Sequence, residues 1–377
     1  MMLQTADTPE AIYAQVEAFR SKVADQVGVI VEELCRNYRR NGDRIASACL
    51  KIDQAIRDYH AFLPRIDAVR ARAEQEATDH SEFIELRRLW GPTTANASLF
   101  RIELNRWHEM RVLVDRQRKP KRRRLYVPTA KVPEITMSQM LAGDDVFHAI
   151  HAVLNPADQS ASAEDYGCFP DIGLSNSDFH AHLHAAYRVL LARPEKKDWR
   201  FLDVGCGAGL KVISAKRYFD EVFGFDYDPA YVDFGKSLAT RGGLDPARIF
   251  QQNALSYDDY GEFDVIYFYR PMRDEDLLME MEKLIVETAH PGTLLIAPYR
   301  AFTHRYEDLG CGHIEGDLYL AQASAEDAQK ARRAAERMGP FIAKRDESLL
   351  RTVWSPILDQ SRANGYDLPT RYAKPRY

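Results

Sequence analysis

From Thr8 to Val114 apolar residues recur at steps of three and four. Ile12, Val16, Phe19, Val23, Val27, Ile30 and Leu34 share one face of a helix that Thr8 caps and Pro9 opens. Asn41-Gly42-Asp43 marks a turn and a restart. Beyond it Ile45, Cys49, Ile52, Ile56, Tyr59, Leu63 and Ile66 alternate steps of four and three and make one apolar seam. Pro64 predicts a kink or break in that helix. A third helix is expected from Asp79–Ser81, broken at Gly91-Pro92, and a fourth from about Asn96 to Val114. The pattern reads as a small bundle in preference to a coiled-coil dimerisation arm, because the heptads are not sustained.

A helix is expected over 138–154, then a turn-rich loop, NPADQSASAEDYGCFPDIGLSNSD, then a helix capped by Ser177 and running to about Leu191. From Arg200 the period changes. Short apolar runs at 200–204, 221–226, 248–251, 263–269 and 293–297 alternate with helical stretches at 210–218, 229–240 and 275–290. Asp228-Pro229 is a helix start of cap followed by Pro. This strand–helix alternation predicts an α/β fold, a doubly wound and mostly parallel sheet. After a helix from Ser324 to about Met338, Phe341–Lys344 and Leu349–Trp354 flank the charged turn Arg345-Asp346-Glu347-Ser348. They read as an antiparallel hairpin at one edge of the sheet.

Composition narrows the class of partner. The chain has 377 residues and a net charge of −5, which argues against a globally basic nucleic-acid binder. Eight Lys or Arg nevertheless fall between Arg111 and Arg124 against one acid, Asp115. That stretch reads either as a polyanion contact through 116–124 or as a solvated linker. The linker is favoured, since no aromatic ring lies within the run to stack on bases. Five cysteines, widely spaced and without a CxxC pair, fit reduced thiols better than a disulfide frame or a zinc site. MMLQTADTPE carries no signal-peptide pattern, and no apolar run reaches membrane-spanning length, so a cytoplasmic protein is expected.

The chemistry concentrates at LDVGCGAG, residues 202–209, where the first strand of the sheet gives way to its helix. Glycines there let a ligand lie against the backbone at the carboxyl ends of parallel strands. The spacing is GxGxG where dinucleotide folds use GxGxxG. Asp203, two residues before the first glycine, would repel a pyrophosphate and suit a ligand that brings an ammonium group. On Asp203, Gly205, Gly207 and Gly209, with Asp226 at the end of the second strand and Asn253-Ala254 after the third, the chain resembles the class I S-adenosylmethionine-dependent methyltransferases. The resemblance covers about residues 170–357.

It implies a Rossmann-like doubly wound seven-stranded sheet, six strands parallel and one antiparallel in an edge hairpin, preceded by an N-terminal α-helical region. The organisation expected is a helical region ending in the basic linker over 1–125, a connecting helix and loop over 126–176, the donor-binding domain over 177–357 and a tail over 358–377. It also implies S-adenosyl-L-methionine as cofactor. The cofactor set would be Asp203, Gly205, Cys206, Gly207, Gly209, Asp226, Tyr227, Asn253, Ala254 and Tyr269. Asp226 would hold the ribose diol and Asn253 the adenine edge, with Phe225 and Tyr227 packing on its face. No metal is expected.

The acceptor side is less legible. After the fourth strand this family's amine and amide methylators carry an N/D/S-P-P-Y/F pattern, whereas here the sequence reads Tyr269-Arg270-Pro271-Met272. Tyr269 and Arg270 are the catalytic or acceptor-binding candidates. Arg270 would hold an anionic group or else pair with Asp274 or Glu275. The histidine pairs His148/His151 and His180/His184, with His182 between the second pair, have helical spacing for a metal but no evident third ligand. His304, His313, Glu315 and Asp317 follow the fifth strand and are candidates for a base. The acceptor, whether protein, small molecule or RNA, stays open. So does homo-oligomerisation through the N-terminal helices. The competing readings are a non-catalytic interaction protein that keeps the fold, and an NAD-dependent oxidoreductase, which the glycine spacing disfavours.

Overall fold

In a computed structural model the described residues are 8–36, 39–155, 158–195, 198–342 and 351–368. The chain divides into two compact units, one of residues 1–121 with 339–377 and one of 122–338.

The first unit is helical. It contains α1 (Pro9–Cys35), α2 (Gly42–Glu76), α3 (His80–Leu104), α4 (Trp107–Arg118) and α13 (Ser355–Ala363). Thr8 and Asn41 cap α1 and α2 through their side chains. The apolar seam of α1 and much of that of α2 are buried in one core with Trp90, Phe100, Trp107 and Met110. Neither proline breaks its helix. Pro64 lies inside an uninterrupted α2 and Pro92 inside an uninterrupted α3. Near Pro92 the Thr94 hydroxyl donates to the carbonyls of Trp90 and Gly91, both at 3.0 Å, while Trp90, Thr93 and Ala97 are buried on one face. Packing of that face outweighs the roughly 3 kcal/mol that an interior proline costs. The break comes instead at Asn105–Arg106.

The hairpin expected over 341–354 is corrected. Residues 343–350 lie outside the described residues, and 351–354 form no strand but lead into α13. Trp354 is fully buried, stacks on Trp107 at 5.0 Å and donates from its indole N–H to the Glu103 carbonyl at 2.7 Å. The boundary expected at 357 therefore falls within α13, and the division between units lies at 338/339.

The second unit carries α5 (Glu134–Leu154), α6 (Ala161–Asp165) and α7 (Asn176–Leu191) ahead of the sheet. The cap of α7 is Ser175, two residues before the one expected. The sheet is built from β1 (Arg200–Val204), β2 (Glu221–Asp226), β3 (Ile249–Gln251), β4 (Val265–Phe268), β5 (Leu294–Ile296), β6 (Gly312–Glu315) and β7 (Leu318–Leu320). Between them run α8 (Leu210–Ala215), α9 (Pro229–Arg241), α10 (Glu275–Thr288) and α11 (Arg300–Arg305), and α12 (Ala325–Ala335) follows.

The strand order is β3-β2-β1-β4-β5-β7-β6. All neighbours are parallel except β7, which runs antiparallel to both β5 and β6. The sheet therefore has the seven-stranded, one-antiparallel form expected, with its edge pair at 312–320. β1 and β4 are buried almost throughout, as strands covered on both faces must be. The chain reverses direction across the sheet between β1 and β4, and the carboxyl ends of these two strands open a crevice there.

Candidate active site

The crevice is a cavity of about 280 Å³. Asp203, Gly205, Cys206 and Gly207 line it from the end of β1, and Asp226 and Tyr227 from the end of β2. Asn253 and Ala254 follow β3, and Tyr269 and Arg270 follow β4. Gly209 does not line it. Expected in the cofactor set, Gly209 instead opens α8 with φ +74, and a side chain there would press on Ile249.

The loop is tied to β2. The amides of Gly205 and Cys206 both donate to the Phe225 carbonyl at 2.9 Å, and the Gly207 amide donates to Asp226 at 2.8 Å. Asp226 also accepts from the Asp228 amide at 2.9 Å. A side chain on Gly205 would meet Pro271 at 2.7 Å, so the glycine lets the β4 exit close on the loop. Phe225 also lines the cavity, beside Asp226 and Tyr227. The rest of its ring packs with Phe250, Tyr257 and Tyr260 in the core, so both rings that flank Asp226 border the cavity.

Burial sets the charge state of the carboxyls. It pushes Asp203 up to about 8; Lys211 opposes the shift, and Asp171 and Asp226 add to it. Asp226 is pushed up to about 6 by burial, held back by the Asp228 and Gly207 amides. Lys211 is lowered to about 8 by its own burial, opposed by Asp203. Its ammonium donates to the Leu174 and Ser175 carbonyls at 3.0 and 3.3 Å and stands 4.3 Å from the Phe147 ring centre and 4.8 Å from that of Phe179.

The sequence reading missed the other wall, a strap formed by the turn-rich loop. The Asp171 carboxylate rests on the glycine loop, accepting from the Ala208 amide at 2.9 Å and the Asn155 side chain at 2.6 Å, with His151 at 3.2 Å. Tyr166 stacks on Tyr227, centroids 4.5 Å apart and planes at 10°, and its hydroxyl accepts from the Asn253 amide at 3.0 Å. Cys168 bridges antiparallel to Met272, and the Phe169 amide donates to the Pro271 carbonyl at 3.1 Å. Only the loop's aromatic and acidic residues among turn formers hinted at this role.

The remaining candidates lie off the cavity. His182 stands between Tyr126, at 3.1 Å, and Asp317, at 3.7 Å, and burial lowers its pKa. His180 is lowered to about 4 by burial beside Tyr218. His304 and His313 are exposed, and Glu315 accepts from the Leu125 amide at 3.3 Å. Among the described residues no group of three or more His, Cys, Asp or Glu side chains could hold a metal, and no helix is long and apolar enough to cross a membrane.

Residues 201–286, spanning the glycine loop, Asp226, Asn253 and the β4 exit, match the family described as methyltransferase domain. The chain carries a methyltransferase domain. No curated protein matches the chain in sequence. Solved structures that resemble parts of it include an S-adenosylmethionine-bound amino pentose methyltransferase from Micromonospora echinaspora. It is 21% identical, with 32% of this chain and 51% of that one covered and a TM-score of 0.27. An RNA methyltransferase from Salinibacter ruber with S-adenosyl-L-homocysteine is 20% identical over 36% of this chain and 86% of that one, TM-score 0.25. A [4+2]-cyclase is 20% identical over 52% of this chain and 71% of that one, TM-score 0.27. The chain thus spans about half the length of the first of these structures. The methyltransferase domain matches the segment that holds Asp203, Asp226 and Asn253 but not the strap at 160–174.

Proposed function

We propose that the chain is an S-adenosylmethionine-dependent methyltransferase and that the cavity at the ends of β1, β2 and β4 is its donor site. The observation that carries this is the placement of Asp203, the glycine loop, Asp226 and Asn253 around one crevice in the order the donor's parts require. Asp203 would face the ammonium of the methionine end, Asp226 the ribose diol, and Tyr227 with Asn253 and Ala254 the adenine. The buried carboxyls support the assignment. A carboxyl held up to about 8 by burial is relieved by a cation placed beside it.

Bound there, the donor supplies a methyl group on a sulfonium for in-line displacement. The residues themselves act by position. The glycine loop and Pro271 fix the cavity floor, the strap excludes water, and Tyr269 and Arg270 border the side from which an acceptor would approach. The test is calorimetric titration with S-adenosylhomocysteine on wild type and Asp226→Ala. Binding by wild type, weakened at least about ten-fold by the substitution, supports the site. An absence of binding by wild type would sink the reading. Transfer of radiolabelled methyl into fractionated lysate then sorts the acceptors.

The same reading extends to a cytoplasmic enzyme that self-associates through its N-terminal helices. The apolar residues Ile84, Leu89, Leu99 and Ile102, exposed on α3, support self-association, which sedimentation checks. The basic run 116–124, where Arg116, Lys119, Lys121, Arg123 and Arg124 are exposed, supports a polyanion contact that heparin retention checks.

A further inference from the structure

We infer that Arg270 is the recognition group for a carboxylate or phosphate carried by the methyl acceptor. The inference rests on the donor assignment above and adds the class of acceptor to it.

Arg270 lines the cavity directly after β4. Its φ is +39, a left-handed conformation that a non-glycine residue holds only when its surroundings impose it. The surroundings are visible. The strap pairs with the residues that follow Arg270, through the Cys168–Met272 bridge, the Phe169 amide on the Pro271 carbonyl and the Arg273 amide on the Gly167 carbonyl. This short ladder fixes the backbone in a strained state and directs the side chain along the cavity wall.

The guanidinium so placed is under-used. Its buried Nε has no hydrogen-bond partner among the described residues. Glu275 stands 3.8 Å from one terminal nitrogen, beyond hydrogen-bond length, and its other oxygen accepts from Arg305 at 2.5 Å. The Phe169 ring centre lies 5.8 Å from the Arg270 guanidinium carbon and 5.7 Å from that of Arg273.

The cavity wall carries charges of both signs. Asp171, Asp203 and Asp226 line it with Lys211, and Arg270 lines it beside Phe169, whose ring also neighbours Arg273. A planar guanidinium with a free buried donor takes a carboxylate or phosphate through two parallel hydrogen bonds. Strain maintained at a cavity wall beside an unused donor fits ligand binding better than a packing role, since packing could be met by a relaxed glycine.

The experiment titrates inorganic phosphate and acetate, separately and at constant ionic strength, into protein saturated with S-adenosylhomocysteine. Wild type is expected to bind at least one anion saturably, and the two titrations distinguish phosphate from carboxylate. Arg270→Gln and Arg270→Gly should weaken that binding about ten-fold or more, and Arg270→Lys should retain part of it. Arg270→Gly should also melt at or above the wild-type temperature, because glycine accepts the left-handed backbone without strain. The inference falls if neither anion binds saturably, if Arg270→Gln binds as wild type does, or if Arg270→Gly melts below wild type. Titrating S-adenosylhomocysteine alone into wild type separates a failed donor assignment, in which the protein takes no nucleoside ligand, from a failed anion site.

Discussion

Replacing Gly207 by alanine probes the contact between strap and loop. Gly207 holds φ +52, where an alanine costs about 1–2 kcal/mol. The added methyl would also overlap the Asp171 carboxyl group. Asp171 would have to leave the Ala208 amide, at 2.9 Å, and the Asn155 side chain, at 2.6 Å. Losing charge-assisted bonds of this kind costs about 1.5–3 kcal/mol. Gly207→Ala should therefore destabilise the protein by about 3–5 kcal/mol in total. In an Asp171→Ala background the overlap is gone, and the same substitution should cost only the backbone part, about 1–2 kcal/mol. The coupling between the two positions is then about 2–3 kcal/mol, read from chemical denaturation of the four variants by circular dichroism. Additivity within about 0.5 kcal/mol would show that Asp171 does not rest on the loop, and the account of the strap would fail with it.

Four further predictions concern the buried carboxyl, the strap and the helical core. Asp203, raised from 3.8 to about 8, stays protonated in the folded protein across a window in which the unfolded chain is ionised, so stability should fall as pH rises from 3.8 to about 8. Asp203→Asn should flatten that slope, and a pH series of melting curves that shows no such change would contradict the burial argument. On the proposed donor assignment, binding at pH 7 would place an ammonium beside Asp203 and should release close to one proton, seen as a dependence of calorimetric enthalpy on buffer ionisation that Asp203→Asn removes. Tyr166 occupies both the Tyr227 face and the Asn253 amide, together worth about 1–3 kcal/mol. Tyr166→Ala should accordingly tighten S-adenosylhomocysteine binding by about ten-fold, and weaker binding would mean that the ring covers the ligand instead of competing with it. Trp354→Ala should cost the helical unit about 3–5 kcal/mol through loss of a fully buried ring, measured by thermal denaturation.

The local pattern of the chain was enough for most of the sheet. β1, β2 and α9 follow from short apolar runs and the Asp228-Pro229 start, because such signals depend on neighbouring residues. The GxGxG spacing with Asp203 and Asp226 marked the crevice, because loop conformation and the ends of adjacent strands are local properties. Pro64, read as a kink or break, and Pro92, read as a break, do not interrupt their helices, since propensity is a weak term beside the burial of Ile66 or Trp90. The edge pair proved to be Gly312–Leu320, and Trp354 joined the helical core. A short apolar run reads alike as a strand or as the start of a packed helix until its partner is known.

What only the tertiary structure decided is the second wall of the site. Asp171 lies far from the glycine loop in sequence and reaches it through the fold of a loop that carries no period. The left-handed Arg270 likewise owes its conformation to pairing with residues 167–169, a contact that no spacing in the sequence encodes. Sequence determined where the crevice would open, because strand ends and glycines are written locally. The strap over it and the guanidinium beside it depend on long-range packing, which arises only once the sheet is assembled.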